Sequence, residues 1–312
     1  MLLVDTLAPL VLLIVLGAGL AHIRFLGSAF MADLNKLAFW IALPALLFTS
    51  ANHAAAPDVQ TWRLLAVLLA ATVLITLVAL GASIASGMPG GVRGTLIQSA
   101  FRGNLAYIGI PVLAYSFSES QADGGSRAMA TAVIVMVLTM AFYNILAVIV
   151  LQASNHSARG ADWRQLARAI ATNPLLLAGM LGLLVPLLGI TLPSFLERAL
   201  ESLGSAAVPI ALMCIGGSLA TTRLRGRRSW IVTAAVLKVA VLPALVFVLS
   251  RLAGLGLIEQ RTALVLSSCP TAAAAFVMAR QMGGDEALAS GSIALSTLLS
   301  SISLAVALWV TA

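Results

Sequence analysis

The sequence predicts an all-α integral membrane protein, with about ten transmembrane helices in two inverted five-helix repeats. Three observations lead there. Of 312 residues, 61% are hydrophobic and only 9% are charged, and the mean hydropathy is +1.05. Apolar runs of spanning length follow one another along the whole chain. Distinctive residues also recur after 165 to 168 positions.

Charge comes first. A soluble domain carries roughly 25% charged residues; 9% is too little to coat a soluble surface, so lipid is the expected solvent. No stretch is polar enough for a separate soluble domain, and 1–312 reads as a single transmembrane domain. The net charge of +7 would suggest nucleic acid for a soluble protein. Here the basic residues are scattered through short loops, so they read as topology signals, and membrane lipid rather than nucleic acid is the expected partner. Cys214 and Cys269 fall inside apolar runs and give no disulfide framework. The run from Thr6 to Ala21 follows Asp5 with no basic segment before it, so it is predicted as a first span rather than a cleaved signal.

A spanning helix uses roughly 20 apolar residues. Charges and Gly/Pro clusters delimit spans near 6–23, 33–50, 63–86, 94–117, 127–152, 170–190, 203–221, 229–250, 258–282 and 287–311. With the N-terminus outside, eleven basic residues fall in inner loops: Arg24, Lys36, Arg93, Arg159, Arg164, Arg168, Arg223, Arg225, Arg227, Arg228 and Arg280. Five fall outside: Arg63, Arg127, Arg198, Arg251 and Arg261. The bias predicts both termini outside, with the 154–168 and 223–228 loops inside.

The repeat rests on spacing. Trp62 opens span three and Trp230 opens span eight, 168 apart; Arg93 and Arg261 precede spans four and nine at the same interval. Pro44 and Pro209 are 165 apart. Repeat one covers about 1–153 and repeat two about 168–312. Five spans is an odd number, so the second repeat is inverted, a transporter design with the site near the midplane.

In lipid a buried ionisable residue marks a functional candidate. Arg102 lies about nine residues into span four and Lys238 about eight into span eight, whereas every acidic residue falls in a loop or at a span end. An Arg at a helix centre costs on the order of 2.5–3.5 kcal/mol. An anionic substrate would supply the missing charge; snorkelling to an interface, or bonding to backbone carbonyls, is the alternative. Around Arg102 stand Gly103, Asn104, Tyr107, Gly109 and Pro111, and Pro111 is expected to open the helix by removing a donor and crowding the preceding turn. Asn104 and Tyr107 are three apart and can share a face. The matching place in span nine is Ser267-Ser268-Cys269-Pro270-Thr271. Interrupted helices at corresponding positions point to a transport site, and their half-helix N-termini favour anions. Ordinary proline kinks are the alternative.

Span ten carries Ser292, Ser296, Ser300 and Ser303 at helical spacing, flanked by Ser290, Thr297 and Ser301. The stripe lines a polar path or marks close packing. Asn144 in span five is a lone amide, a site candidate or an interhelical bond. His22, His53 and His156 sit at span ends or in loops and show no metal-ligand spacing, and no HExxH motif or P-loop is present. No catalytic residue, metal or cofactor is predicted.

These residues resemble the auxin efflux carrier family, in its bacterial branch. The resemblance runs over the whole chain: Leu43-Pro44-Ala45-Leu46-Leu47-Phe48, Arg102-Gly103-Asn104 through Ile110-Pro111, Asn173-Pro174-Leu175, Pro209 through Gly216-Gly217-Ser218-Leu219, Lys238 with Pro243, and Pro270 through Ala279-Arg280-Gln281. It implies crossed, broken fourth and ninth helices related to the bile acid/sodium symporter architecture. It also implies a scaffold and a transport domain moving as an elevator, often in a homodimer. Plant members carry auxin; bacterial members look like malonate, malate and similar carboxylate carriers. The long central hydrophilic loop of the long plant members is absent, and so are clear counterparts of the intramembrane carboxylates used for ion coupling in related transporters, which leaves H+ and Na+ both open. The expectation is a bacterial inner-membrane carrier of small mono- or dicarboxylates, with Arg102 on a substrate carboxylate. Asn104, Tyr107 and Thr271 would complete the site, and Lys238 would contact substrate or replace a coupling ion. A passive channel, a sensor and an intramembrane enzyme are the rivals.

Overall fold

The computed structural model describes residues 2–53, 57–118, 124–154, 167, 171–221 and 226–311. Among them every regular element is helical, and the one extended pairing is an isolated bridge between Gly103 and Thr271. The helices are α1 (Leu2–His22), α2 (Ser28–Leu37), α3 (Leu43–Asn52), α4 (Val59–Ala85), α5 (Gly90–Phe101), α6 (Ile110–Ser118), α7 (Gly124–Ser154), α8 (Pro174–Leu187), α9 (Ser194–Ser205), α10 (Ala207–Thr221), α11 (Arg228–Val236), α12 (Leu242–Leu252), α13 (Leu257–Ser268), α14 (Ala274–Gln281) and α15 (Glu286–Val310). Most of the basic loop at 154–168, and Arg223 and Arg225, lie outside the described residues.

Among the described residues, six helical stretches are long and apolar enough to cross a membrane: Ala29–Asn52, Val59–Ala85, Ala128–Ser154, Ser194–Ser218, Arg228–Leu252 and Glu286–Val310. Shorter apolar helices cover Ala8–His22, Leu105–Phe117 and Pro174–Leu187. Large apolar side chains such as Leu12, Leu77, Leu184 and Ile302 stand exposed, as helices bathed in hydrocarbon require. The stretches predicted near 94–117 and 258–282 are each interrupted, at 102–104 and at 269–273.

Local chemistry sets several ends. Asn173 caps α8 by accepting from the backbone N–H of Leu175 (3.0 Å) and Leu176 (3.3 Å), with Pro174 next in line where its missing N–H costs nothing. Asp285 caps α15 through Leu288 N–H at 2.8 Å. Three five-residue π turns, Ala38–Ala42, Leu105–Gly109 and Leu237–Val241, each end two residues before a proline: Pro44, Pro111 and Pro243. A proline ring clashes with the carbonyl four residues back; widening the turn by one residue moves that carbonyl away and keeps the helix running. Pro111 therefore does not make the break expected of it. It is the second residue of α6, in the first turn, where proline is tolerated.

The stretch before 203, expected as a loop, is the helix α9 instead. Phe195, Leu196, Ala199 and Leu203 recur at helical spacing against Glu197, Arg198, Glu201 and Ser202, and Pro193 starts it. It is amphipathic, too charged to register as an apolar run.

The chain divides into two compact units. The first draws on 1–58, 106–138 and 171–222, where α1 packs on α10 and α3 packs on α8 and α9. Gly17 and Gly216 let α1 and α10 approach closely: a β-carbon on Gly17 would strike the Met213 backbone, and one on Gly216 the Ile14 carbonyl. The second unit draws on 59–105, 139–170 and 223–312, with α4 against α5, α12 and α13, and α15 against α11 and α13.

Candidate functional site

The second unit brings the two interruptions together. α5 ends at Phe101, and Arg102 turns into extended backbone (φ −72°, ψ 94°). α13 ends at Ser268, and Cys269 does the same (φ −58°, ψ 142°). Between them Gly103 and Thr271 form an antiparallel bridge. Asn104 N–H donates to the Pro270 carbonyl at 2.7 Å, and Ala272 N–H donates to the Arg102 carbonyl at 2.9 Å. Bridge partners and bonded pairs exchange under one shift of 168 residues: 103 with 271, 104 with 272, 102 with 270. Gly103 is needed for the approach. A β-carbon there would meet Leu105 Cδ2 at 2.9 Å, with Leu266 O and Lys238 Cε just beyond.

Each break leaves carbonyls without helical donors. Two side chains supply them. Thr271, fully buried, donates its hydroxyl to Ser99 O at 2.8 Å. Lys238, fully buried in its π turn, donates Nζ to Ser267 O at 2.6 Å. Ser99 and Ser267 are again 168 apart. Lys238 does not snorkel; it takes the backbone-carbonyl role, with its charge at the negative end of α13.

Arg102 is 7% exposed. Its Nη2 donates to Asn144 Oδ1 at 2.5 Å; its Nη1 reaches the Tyr143 carbonyl at 3.4 Å and Met278 Sδ at 3.1 Å. All three acceptors are neutral, and among the described residues no carboxylate pairs with this guanidinium. A guanidinium offers five N–H donors in a planar fork suited to a carboxylate. Asn144, 5% exposed, thus makes the interhelical bond that was one of its two expected roles, and it orients Arg102 by doing so. The Phe101 ring packs on that of Tyr143 at 5.5 Å and buttresses the same corner.

The remaining candidates separate. Pro270, Cys269 and Ser296 are buried at the crossing: Ser296 Oγ accepts from Thr271 N–H at 3.0 Å, and Cys269 Sγ donates to Val265 O at 3.3 Å. Ser292, Ser300 and Ser301 bond carbonyls of their own helix, and Ser296 does so too through Ile293 O at 3.2 Å, but Ser296 also serves the crossing by accepting from Thr271. Tyr107 and Pro111 fall in the first unit, where the Tyr107 hydroxyl reaches Asn35 O at 3.4 Å. Sequence reasoning missed Gln98, which donates to Ala275 O at 2.9 Å and leaves Oε1 buried without a partner among the described residues; Ser268 Oγ is left likewise. An amide inside an apolar helix was the available signal for Gln98. It also missed that His53, Glu197 and Glu201 meet in the first unit, since 144 residues separate the first two.

A family described as Membrane transport protein matches residues 2–308. The chain belongs to that family. The resemblance to auxin efflux carriers is thereby borne out, and the protein is a multi-pass membrane transporter, not an enzyme. The transporter is 28% identical over 283 residues to an uncharacterised transporter of Methanocaldococcus jannaschii, covering 88% of this chain and 87% of the relative. It is 26% identical over 285 residues to a protein of Rhizobium meliloti named "Putative malonate transporter", covering 86% and 83%. It is 27% identical over 303 residues to an uncharacterised transporter of Methanothermobacter thermautotrophicus, covering 96% and 95%.

Proposed function

We propose that this transporter is a carrier of small mono- or dicarboxylates, working by alternating access of the elevator type, with Arg102 as the substrate's cationic partner. One observation carries the proposal: a nearly buried guanidinium, set at the break of α5, is held by neutral acceptors alone. A carboxylate arriving there gains a charge-assisted bidentate partner that the protein itself does not supply. Asn104 and the chain around Thr271 would shape the site. The name of the Rhizobium meliloti relative makes malonate the first substrate to try.

The architecture assigned here is one transporter domain of ten spans in two inverted repeats, about 1–153 and 168–312. The 168-residue exchange at the bridge supports it, as does the way each compact unit takes a piece from both halves. The unit that holds the crossing is the transport domain, and the other is the scaffold of a homodimer in the inner membrane, both termini outside. Lys238 occupies the place of a coupling ion as a built-in cation at the end of α13.

The test is uptake of radiolabelled malonate and malate into proteoliposomes, under proton and sodium gradients, for the wild type beside Arg102→Ala. Saturable uptake lost in the variant is the expected result. Equal uptake by the variant removes Arg102 from the site. A saturable carrier, rather than a channel, shows counterflow of unlabelled substrate; flux that never saturates favours the channel. Binding without flux favours the sensor.

A further inference from the structure

We propose a divalent transition-metal site of the Zn2+ class in the first unit, formed by His53, Glu197 and Glu201. His53 is the C-cap of α3, its N–H bonded to Thr49 O at 3.2 Å. Glu197 and Glu201 stand one turn apart on α9, so both point to the same side of that helix. One ring nitrogen and two carboxylate oxygens lie within 4.8 Å of one another, and His53 Nε2 is 2.8 Å from Glu197 Oε1.

Three features favour an ion over a simple pair. First, two carboxylates at i and i+4 repel, by roughly 0.2–0.5 kcal/mol, and among the described residues Glu201 pairs with no cation. A divalent ion turns that repulsion into shared ligation. Second, the elements are locked together independently of the cluster: α9 lies on α3 so closely that a β-carbon on Gly204 would touch Leu46 Cα at 3.0 Å. The ligands are thus carried on a fixed frame. Third, solvent reaches the site, since the side chains of His53 and Glu197 are 52% and 33% exposed.

The donor set decides the metal. Zn2+ holds nitrogen and oxygen ligands at about 2.0–2.2 Å in tetrahedral array, so neighbouring ligands stand roughly 3.4 Å apart. His53 Nε2 and Glu197 Oε1, now at hydrogen-bond distance, would spread to admit the ion, and the carboxylate of Glu201 would turn in toward it. An imidazole with two carboxylates suits Zn2+ better than Mg2+, which prefers oxygen and retains its water. Water would complete the shell, and the bound ion would staple α3 to α9.

The experiment is calorimetric titration of the purified full-length transporter, freed of any affinity tag, with Zn2+ and with Mg2+. Glu201→Gln and His53→Ala are titrated beside it. Glu201→Gln leaves the His53–Glu197 pair in place and guards against a folding defect. One Zn2+ per chain is expected, weakened at least ~10-fold in both variants and at least ~10-fold tighter than Mg2+. No Zn2+ binding, or an unchanged isotherm in both variants, overturns the site and leaves His53–Glu197 as an ion pair only.

Discussion

The ammonium nitrogen of Lys238 stands 2.6 Å from the carbonyl oxygen of Ser267, one residue before the end of α13. Burying an ammonium costs several kcal/mol. The helix C-terminus returns up to ~2 kcal/mol, and satisfying the carbonyl avoids a further 1–3 kcal/mol or so. These nearly cancel. Lys238→Met is therefore expected to change unfolding free energy by less than ~2 kcal/mol while uptake falls at least ~10-fold. Thermal unfolding in detergent and proteoliposome uptake read the two effects separately. A collapse in stability with normal uptake would make Lys238 structural.

Asn144 holds Arg102 by its amide oxygen, so Asn144→Ala and Asn144→Asp act in different ways. The alanine variant frees the guanidinium to wander, and KM for the transported carboxylate should rise about 10-fold, roughly 1.4 kcal/mol. The aspartate variant places a fixed carboxylate where substrate is proposed to bind. It should fold well and transport less than the alanine variant. Initial-rate kinetics on both would expose an error in either half of this prediction.

Thr271 serves the crossing by its hydroxyl. Thr271→Val preserves shape and orphans Ser99 O, at a cost of about 1–3 kcal/mol. Thr271→Ser restores the donor and should unfold within a few degrees of wild type. If valine and serine variants melted together, the hydroxyl bond to Ser99 would carry no weight.

Gly216 and Gly19 form a matched pair of alanine tests. A methyl at Gly216 runs into the Ile14 carbonyl, whereas nothing lies within 4 Å of one at Gly19. Gly216→Ala should cost about 1–3 kcal/mol, and Gly19→Ala should be neutral or slightly stabilising, since alanine favours a helix. Equal melting temperatures would show that α1 can shift off α10 without penalty.

The helical stretches were legible because lipid enforces long apolar runs, and the interruption of span nine because Pro270 punctuates it; that span four is interrupted was legible too, but its break was expected at Pro111 and stands at 102–104. The role of Pro111 was not legible: a proline two residues past a π turn looks in sequence like a proline that breaks a helix. α9 escaped because Glu197, Arg198 and Glu201, on its polar face, fall between its apolar residues in the sequence, so it has no run to detect. The partners of Arg102 escaped for another reason. Asn144 and Met278 lie 42 and 176 residues away, and neither carries the opposite charge that a search for partners seeks. His53 and Glu197 show the same limit in the first unit.

Both bonds at the Gly103–Thr271 bridge run between main-chain atoms. The pairing itself is consequently spelled in no side chain; what side chains decide is the room beside it, which Gly103 leaves open. The one letter forbidden to evolution at 104 and 272 is proline, which has no hydrogen to give.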